Sequence, residues 1–287
     1  MGSSARAEDA PLPISYTDVN GIRLAYLDEG SGPLVVLVHG FPDTPATWDT
    51  IRPSLVAAGY RVVTPWTRGY APSGIPADRM TSPETMGRDI VDLIAYLGEK
   101  TAVVVGHDWG AAAAYAAATL APEVVTQLVT IAIPHPGTLH LTPRQLWKGR
   151  HFVYLAGRRG VRIMEKDDFA HVDELYHRWA PGWDVPPAEI EAVKASFRQP
   201  GSVDAALGYY RGAREPEPLF DQKISVPTLA ICGADDAFTP QDFARAATAF
   251  TGPYSFVVLP GEHWPQHQSA DAFRQTLMDF LANSPEK

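Results

Sequence analysis

One aspartate sets the chemistry this chain can do. Val104-Val105-Gly106-His107-Asp108-Trp109-Gly110 joins a buried apolar run to an Ala-rich stretch. Small residues at 106 and 110 permit a sharp strand-to-helix turn that pushes the central side chain out above a sheet, the form of a nucleophile elbow. A helix N-terminus behind it favours negative charge. An Asp after a strand also serves as a plain N-cap, and Gly-x-Asp-x-Gly alone does not separate the two readings. A carboxylate is already ionised at neutral pH and needs no base to act as a nucleophile. It can displace at a saturated carbon and leave an alkyl ester, which a second step must cleave. Gly261-Glu262-His263-Trp264-Pro265-Gln266 offers an imidazole after the last strand-like run, placed to activate water; taken alone, such a loop His is a surface residue. Gly233-Ala234-Asp235-Asp236 through Pro240 offers an acid to orient that ring. The spacing Gly233, Asp236, Pro240 favours Asp236 over Asp235. Because the elbow holds no hydroxyl or thiol, a serine esterase is disfavoured.

Those residues need elements to hold them. Residues 14–19 and 22–28 alternate around Asn20-Gly21, a hairpin signal. Residues 33–39, 62–63, 101–105 and 128–133 are continuous apolar runs, as expected of strands buried on both faces. Residues 83–97 have helical spacing, with Ile90, Leu93, Ile94 and Leu97 on one face, and a second helix is expected over 111–120. Strand-like runs return at 227–231 and 255–259, and a last helix is expected from about 271 to 281. The alternation predicts an α/β fold with a mainly parallel sheet flanked by helices. Residues 134–217 break it: they are helical, aromatic and charged, and read as a cap inserted between core segments 1–133 and 218–287.

The chain has 287 residues and a net charge of −9. Phosphate binding needs clustered Lys and Arg, so the acidic balance argues against nucleic acid. A lone cysteine, Cys232, excludes an internal disulfide and any multi-Cys metal site, and reads as a packed small hydrophobe. His135, His140, His171 and His177 read as surface residues rather than metal ligands. His263 and His267 are four apart, but Pro265 intervenes and no nearby acid completes a metal set. The stretch from Arg158-Arg159 to Asp168 reads as a solvated charged face. No apolar run approaches the roughly 18 residues of a membrane span, and Met1 to Ala10 lacks the apolar segment of a signal peptide. The expectation is a cytoplasmic protein without a membrane partner, secreted or periplasmic if a leader has been removed. A homodimer stays open.

Together the motifs resemble the α/β-hydrolase superfamily, and within it the epoxide hydrolases and haloalkane dehalogenases. Gly106-His-Asp-Trp-Gly110 and His39-Gly-Phe-Pro42 are similar to motifs of both, in the superfamily's chain order of nucleophile, acid and base. Gly69-Tyr-Ala-Pro-Ser73 and His263-Trp-Pro-Gln266 resemble epoxide-hydrolase segments. Trp66 departs from the pattern, standing where many relatives carry an Asp before x-Arg-Gly; we read this as drift outside the chemistry. The resemblance implies Asp108 as nucleophile, His263 as general base, Asp236 as orienting acid, and the Phe41 and Trp109 amides as an oxyanion hole. It implies two cap donors that protonate the opening epoxide oxygen. Tyr210, in Gly208-Tyr-Tyr-Arg211, matches one. The spacing His151-Phe-Val-Tyr154-Leu-Ala156 resembles bacterial enzymes with a His/Tyr pair, the Cif-type among them, so His151 is the other, with Tyr154 as fallback. These cap aromatics have a plainer alternative, packing the cap onto the core.

The pocket implied is apolar and lined by Phe41, Trp109, Tyr154, Tyr209 and Trp264, and the partners implied are a small apolar epoxide and water, with no cofactor and no metal. The rival is a haloalkane dehalogenase using the same Asp/His/Asp set. Phe41 stands where many of those enzymes carry Asn, while Trp147, Trp179 and Trp183 keep a cap halide contact open. Trp109 and Ala111 beside the elbow, in place of Arg, argue against a charged substrate such as fluoroacetate. A non-catalytic small-molecule receptor on the same fold is a further alternative.

Overall fold

A computed structural model describes residues 12–77, 81–213 and 217–283. Met1 to Ala10 lie outside the described residues. Eight strands form one sheet: β1 (Ser15–Val19), β2 (Ile22–Gly30), β3 (Leu34–Val38), β4 (Arg61–Pro65), β5 (Ala102–His107), β6 (Val125–Ile131), β7 (Thr228–Gly233) and β8 (Tyr254–Leu259). Their spatial order is β1-β2-β4-β3-β5-β6-β7-β8. The β1–β2 and β2–β4 pairs are antiparallel and the rest parallel.

The apolar runs are central strands because both faces are covered. On one face Val36, Val38 and Val104 pack with Ile90, Leu93 and Ile94 of α2 (Pro83–Tyr96) and the alanines of α3 (Trp109–Leu120). On the other, Val35, Leu37, Val105 and Val129 meet Leu55 of α1 (Arg52–Ala57) and Phe273, Leu277 and Leu281 at the chain's end. Between β6 and β7 the described elements are helical: α4 (Pro143–Lys148), α5 (His151–Ala156), α6 (Gly160–Glu165), α7 (Ala170–Trp179), α8 (Pro187–Phe197), α9 (Ser202–Ala206) and α10 (Gly208–Gly212), with short 3-10 turns. Three helices close the fold: α11 (Pro240–Ala246), α12 (Pro265–Gln268) and α13 (Ala270–Ala282). The α/β-hydrolase fold with a helical insertion is thus present.

Differences from the sequence reading are local. The second helix begins at Trp109, not Ala111, so it starts directly after Asp108. Short helices α1, α11 and α12 carry too few turns to show a period. His135 is buried rather than on the surface: it lies edge-on to Tyr115, Phe220 and Phe250, and its Nδ1 accepts the Gly137 N–H. Burial pushes its pKa down to about 4.

Candidate active site

The site forms where β3, β5, β7 and β8 deliver their C-terminal loops to one edge of the sheet. Asp108 follows β5 with φ 53° and ψ −119°, a conformation that costs a non-glycine residue about 1–3 kcal/mol. Gly106 makes the turn possible, since a Cβ there would lie 2.1 Å from the Gly110 carbonyl oxygen. Asp108 occupies the N-cap position of α3, but its side chain makes no capping bond. Its Oδ1 instead accepts the Phe41 N–H at 2.9 Å. The turn presenting that amide is held by His39, whose Nδ1–H donates to the Gly40 carbonyl at 2.9 Å while its Nε2 accepts the Thr67 N–H at 3.0 Å. Burial pushes the His39 pKa down to about 4, so the ring is neutral.

His263 bridges two carboxylates. Its Nδ1 lies 3.1 Å from Asp236 Oδ2, and its Nε2 lies 3.5 Å from Asp108 Oδ2. Among the described residues Nε2 makes no hydrogen bond. The loops meet because Gly233 lacks a side chain: a Cβ there would stand 1.8 Å from the Glu262 carbonyl oxygen. Asp236 is buried and turned to the imidazole, whereas Asp235 is exposed. Burial opposes charging of His263, but Asp236 and Asp108 outweigh it and raise its pKa to about 10. Burial likewise opposes ionisation of Asp108, and His263 overcomes it, holding the carboxyl below its usual value. In this resting arrangement the Asp108 carboxylate faces an imidazolium.

Behind His263 lies a layer that the motifs did not reveal. His107 Nε2–H donates to the His263 carbonyl oxygen at 2.8 Å, which leaves Nδ1 bare, without a partner among the described residues and 3.8 Å from Asp43 Oδ2. Asp43 also accepts the Thr44 N–H at 2.9 Å and the Trp264 indole N–H at 3.2 Å. Burial, helped by the Glu189 charge, pushes its carboxyl up to about 8. A protonated Asp43 suits the bare nitrogen it faces. Asp43→Asn, whose NH2 can face the bare nitrogen but whose single oxygen keeps only one of the two accepted bonds, should therefore cost about 1 kcal/mol, while Asp43→Ala, which strands both buried donors, should cost about 2–3 kcal/mol in urea unfolding near pH 7. Equal losses in both variants would mean that the charge, not the hydrogen bonding, matters.

Opposite Asp108 stands the helical insertion. The Tyr210 ring is edge-on to Phe41 (5.1 Å between centroids), Trp109 (5.4 Å), His151 (5.5 Å) and Phe152 (5.0 Å). Burial, with the Asp108 charge adding, raises the Tyr210 phenol well above 10, so it is a neutral donor. His151 opens α5, with its Nδ1 3.3 Å from the Lys148 carbonyl. Burial brings its pKa down to about 4, with Asp108 opposing. Trp179 and Phe152 complete the enclosure: Trp179 lies 4.6 Å from His151 and 5.4 Å from His263 between ring centroids, and Phe152 lies 5.7 Å from Trp109.

Three other aromatics have committed polar atoms. The Tyr209 hydroxyl donates to the Arg68 carbonyl at 2.9 Å and lies 2.7 Å from Thr67 Oγ1. The Tyr154 hydroxyl is held by Arg178 and His171. Trp264 is buried against Tyr176, its indole N–H on Asp43. Trp147 is 65% exposed, away from this enclosure. No group of three or more His, Cys, Asp or Glu among the described residues is arranged to hold a metal.

The comparisons agree with this architecture. The model of the alpha/beta hydrolase fold family matches residues 33–270, and the chain belongs to the α/β-hydrolase superfamily. It is 31% identical to the AB hydrolase superfamily protein YfhM of Bacillus subtilis, over 93% of this chain and 97% of that protein. It is 28% identical to epoxide hydrolase A of Mycobacterium tuberculosis, over 92% and 95%. It also resembles the solved structure of a mutant epoxide hydrolase from Bacillus megaterium complexed with its product, a naphthyloxy propanediol, with TM-score 0.84, 26% identity and coverage of 94% and 100%. The chain is thus a hydrolase of the α/β fold with epoxide-hydrolase homologues across most of its length.

Proposed function

We propose that this protein is an epoxide hydrolase that converts an epoxide and water to a vicinal diol. The observation that carries this reading is the opposition of Asp108, ionised and backed by His263, to the neutral Tyr210 phenol on the insertion. An Asp108 oxygen attacks an epoxide carbon, the ring C–O bond breaks, and the Tyr210 hydroxyl, with His151, gives a proton to the leaving alkoxide. The Tyr210 phenolate regains its proton, through solvent, as the His263 imidazolium gives one up; water then attacks the carbonyl carbon of the Asp108 ester as the neutral His263, oriented by Asp236, takes its proton. The Phe41 and Trp109 amides hold the oxyanion, each worth roughly 3 kcal/mol. Collapse releases the diol alkoxide, which is protonated from His263, and Asp108 keeps one oxygen from water. The cap in this reading is residues 134–217, and the substrate is small and apolar because Phe41, Trp109, Phe152 and Trp179 enclose the carboxylate.

For a donor role the His151 proton must sit on Nε2, whereas the contact with Lys148 favours Nδ1. Tyr210 is therefore the main donor. A haloalkane dehalogenase is the second reading, favoured by Trp179 standing beside His151 and His263. Assaying diol from a panel of epoxides and halide from a panel of haloalkanes separates them. Diol formation is expected, and halide release without diol would end the epoxide reading.

A further inference from the structure

Outside the site, the exposed apolar residues are unevenly placed. Among the described residues Ile14, Tyr16, Tyr96 and Val258 are scattered, but Leu141, Leu146, Trp147, Phe152 and Val153 fall together on the α4–α5 segment. Leu146 is 57% exposed and Trp147 65%. Scattered exposed hydrophobics need no explanation, but a cluster marks a contact surface.

Charge says what kind of contact. No Asp or Glu occurs between Glu123 and Glu165, although the chain as a whole is acidic. The same interval carries Arg144, Lys148, Arg150, Arg158, Arg159 and Arg162, none of them in an ion pair among the described residues. Arg150 lies over the Trp147 ring at 4.2 Å. Arg144, Trp147 and Lys148 share one side of α4 by their spacing of three and four. Exposed Trp and Leu beside unpaired cations is the composition of a surface that rests in the headgroup layer of a membrane. A second copy of this chain is a poorer occupant, since it would set two cationic segments that carry no acids of their own against each other.

We propose that the α4–α5 face is a peripheral membrane-binding surface that seats on anionic lipid, with its aromatic and aliphatic side chains at the headgroup–acyl boundary and its cations on the lipid phosphates. The lack of a spanning helix, on which the expectation of no membrane partner rests, does not bear on such a surface. The position matters for the site. Phe152 is 42% exposed, yet its ring touches both Trp109 and Tyr210, so the lipid-facing surface adjoins the enclosure around Asp108. A bilayer-dissolved apolar substrate would reach the site without crossing water. Only this delivery rests on the epoxide reading; the docking does not.

The test is co-sedimentation of the full chain with phosphatidylcholine vesicles, with and without about a third phosphatidylglycerol. Wild type should sediment with the anionic vesicles near 0.05 M salt and be largely released near 0.5 M, roughly where screening shortens to a few ångströms. Leu146→Ser/Trp147→Ser and Arg144→Glu/Arg150→Glu should each bind at least about tenfold less, with thermal midpoints and far-UV spectra unchanged. Wild type left in the supernatant with anionic vesicles would overturn the proposal. So would equal binding to neutral vesicles, or undiminished binding by both folded variants. A dimer in sedimentation velocity that the serine pair dissolves would identify a second copy as the occupant and overturn it as well. Because the readout is binding, a failure here is distinct from a failure to form diol.

Discussion

His263→Gln should alkylate itself and stop. The variant keeps Asp108, the Phe41 amide and the insertion donors, so the first step still has its nucleophile and its acid. It loses the group that takes a proton from water. Turnover should fall by about 10⁴-fold, the scale set by disabling a triad base. The ester should accumulate, seen as the substrate's added mass on the peptide that contains Asp108. Steady turnover with no adduct would place the base elsewhere. No adduct and no turnover with any epoxide tested would favour a receptor on this fold.

The same pair makes a pH prediction. The His263 pKa is raised to about 10 because two carboxylates flank it. Alkylation turns one of them into a neutral ester, so the imidazole sheds its proton more easily once the intermediate exists. In single-turnover experiments between about pH 6 and 9, alkylation should be nearly flat, while ester hydrolysis should rise with pH and level off well below 10. Stability follows the resting values. Since the folded pKa lies above the ordinary 6.5, the His263 contribution is full below about 6.5 and is lost as pH rises through about 10. The Asp108 carboxyl is held below 3.8, so its contribution is present above that value and is lost in stronger acid. His263→Gln should remove the alkaline loss from a denaturation series.

How much of this is legible in the sequence depends on what each feature requires. Strands buried on both faces must be apolar throughout, so residues 33–39 and 101–105 show themselves as continuous runs, and the fold class follows. The elbow shows itself because close backbone approach at Gly106 and Gly110 admits no side chain. Asp236 is separable from Asp235 by spacing, and the geometry turns the former to His263. The layer behind His263 is not legible in this way. His107 sits inside the quoted motif, but nothing in its type says that it holds the His263 carbonyl or that it faces Asp43 across more than sixty residues of chain. His135 fails for a related reason: a neutral histidine packs in a core as an aromatic ring, and its spacing gives no sign of burial. Trp147 and Trp179 are the same residue type in one insertion, yet one is solvent-facing and the other lies against His263, because short helices leave no periodicity to tell their faces apart.

Tyr210→Phe should slow ring opening by about 10²–10³-fold, while leaving ester hydrolysis and the fold nearly unchanged. The hydroxyl is the only atom removed, and the ring keeps its edge contacts with Phe41, Trp109, His151 and Phe152. An alkoxide is too basic to leave unassisted, so losing the donor acts on the first step alone. His151→Phe should act on the same step but less, because its proton is drawn towards the Lys148 carbonyl and must move to Nε2 before it can help. If the two residues serve one oxygen in concert, the double variant should fall short of the product of the single effects. The decisive measurement is the single-turnover alkylation rate, followed by quenching and mass analysis of Asp108. Unchanged rates in both variants would return these side chains to a packing role and move the search for the acid elsewhere on the insertion. A halide needs no proton to leave, so on a haloalkane the same two variants should alkylate nearly as fast as wild type, and that contrast would hold even with diol assays left aside.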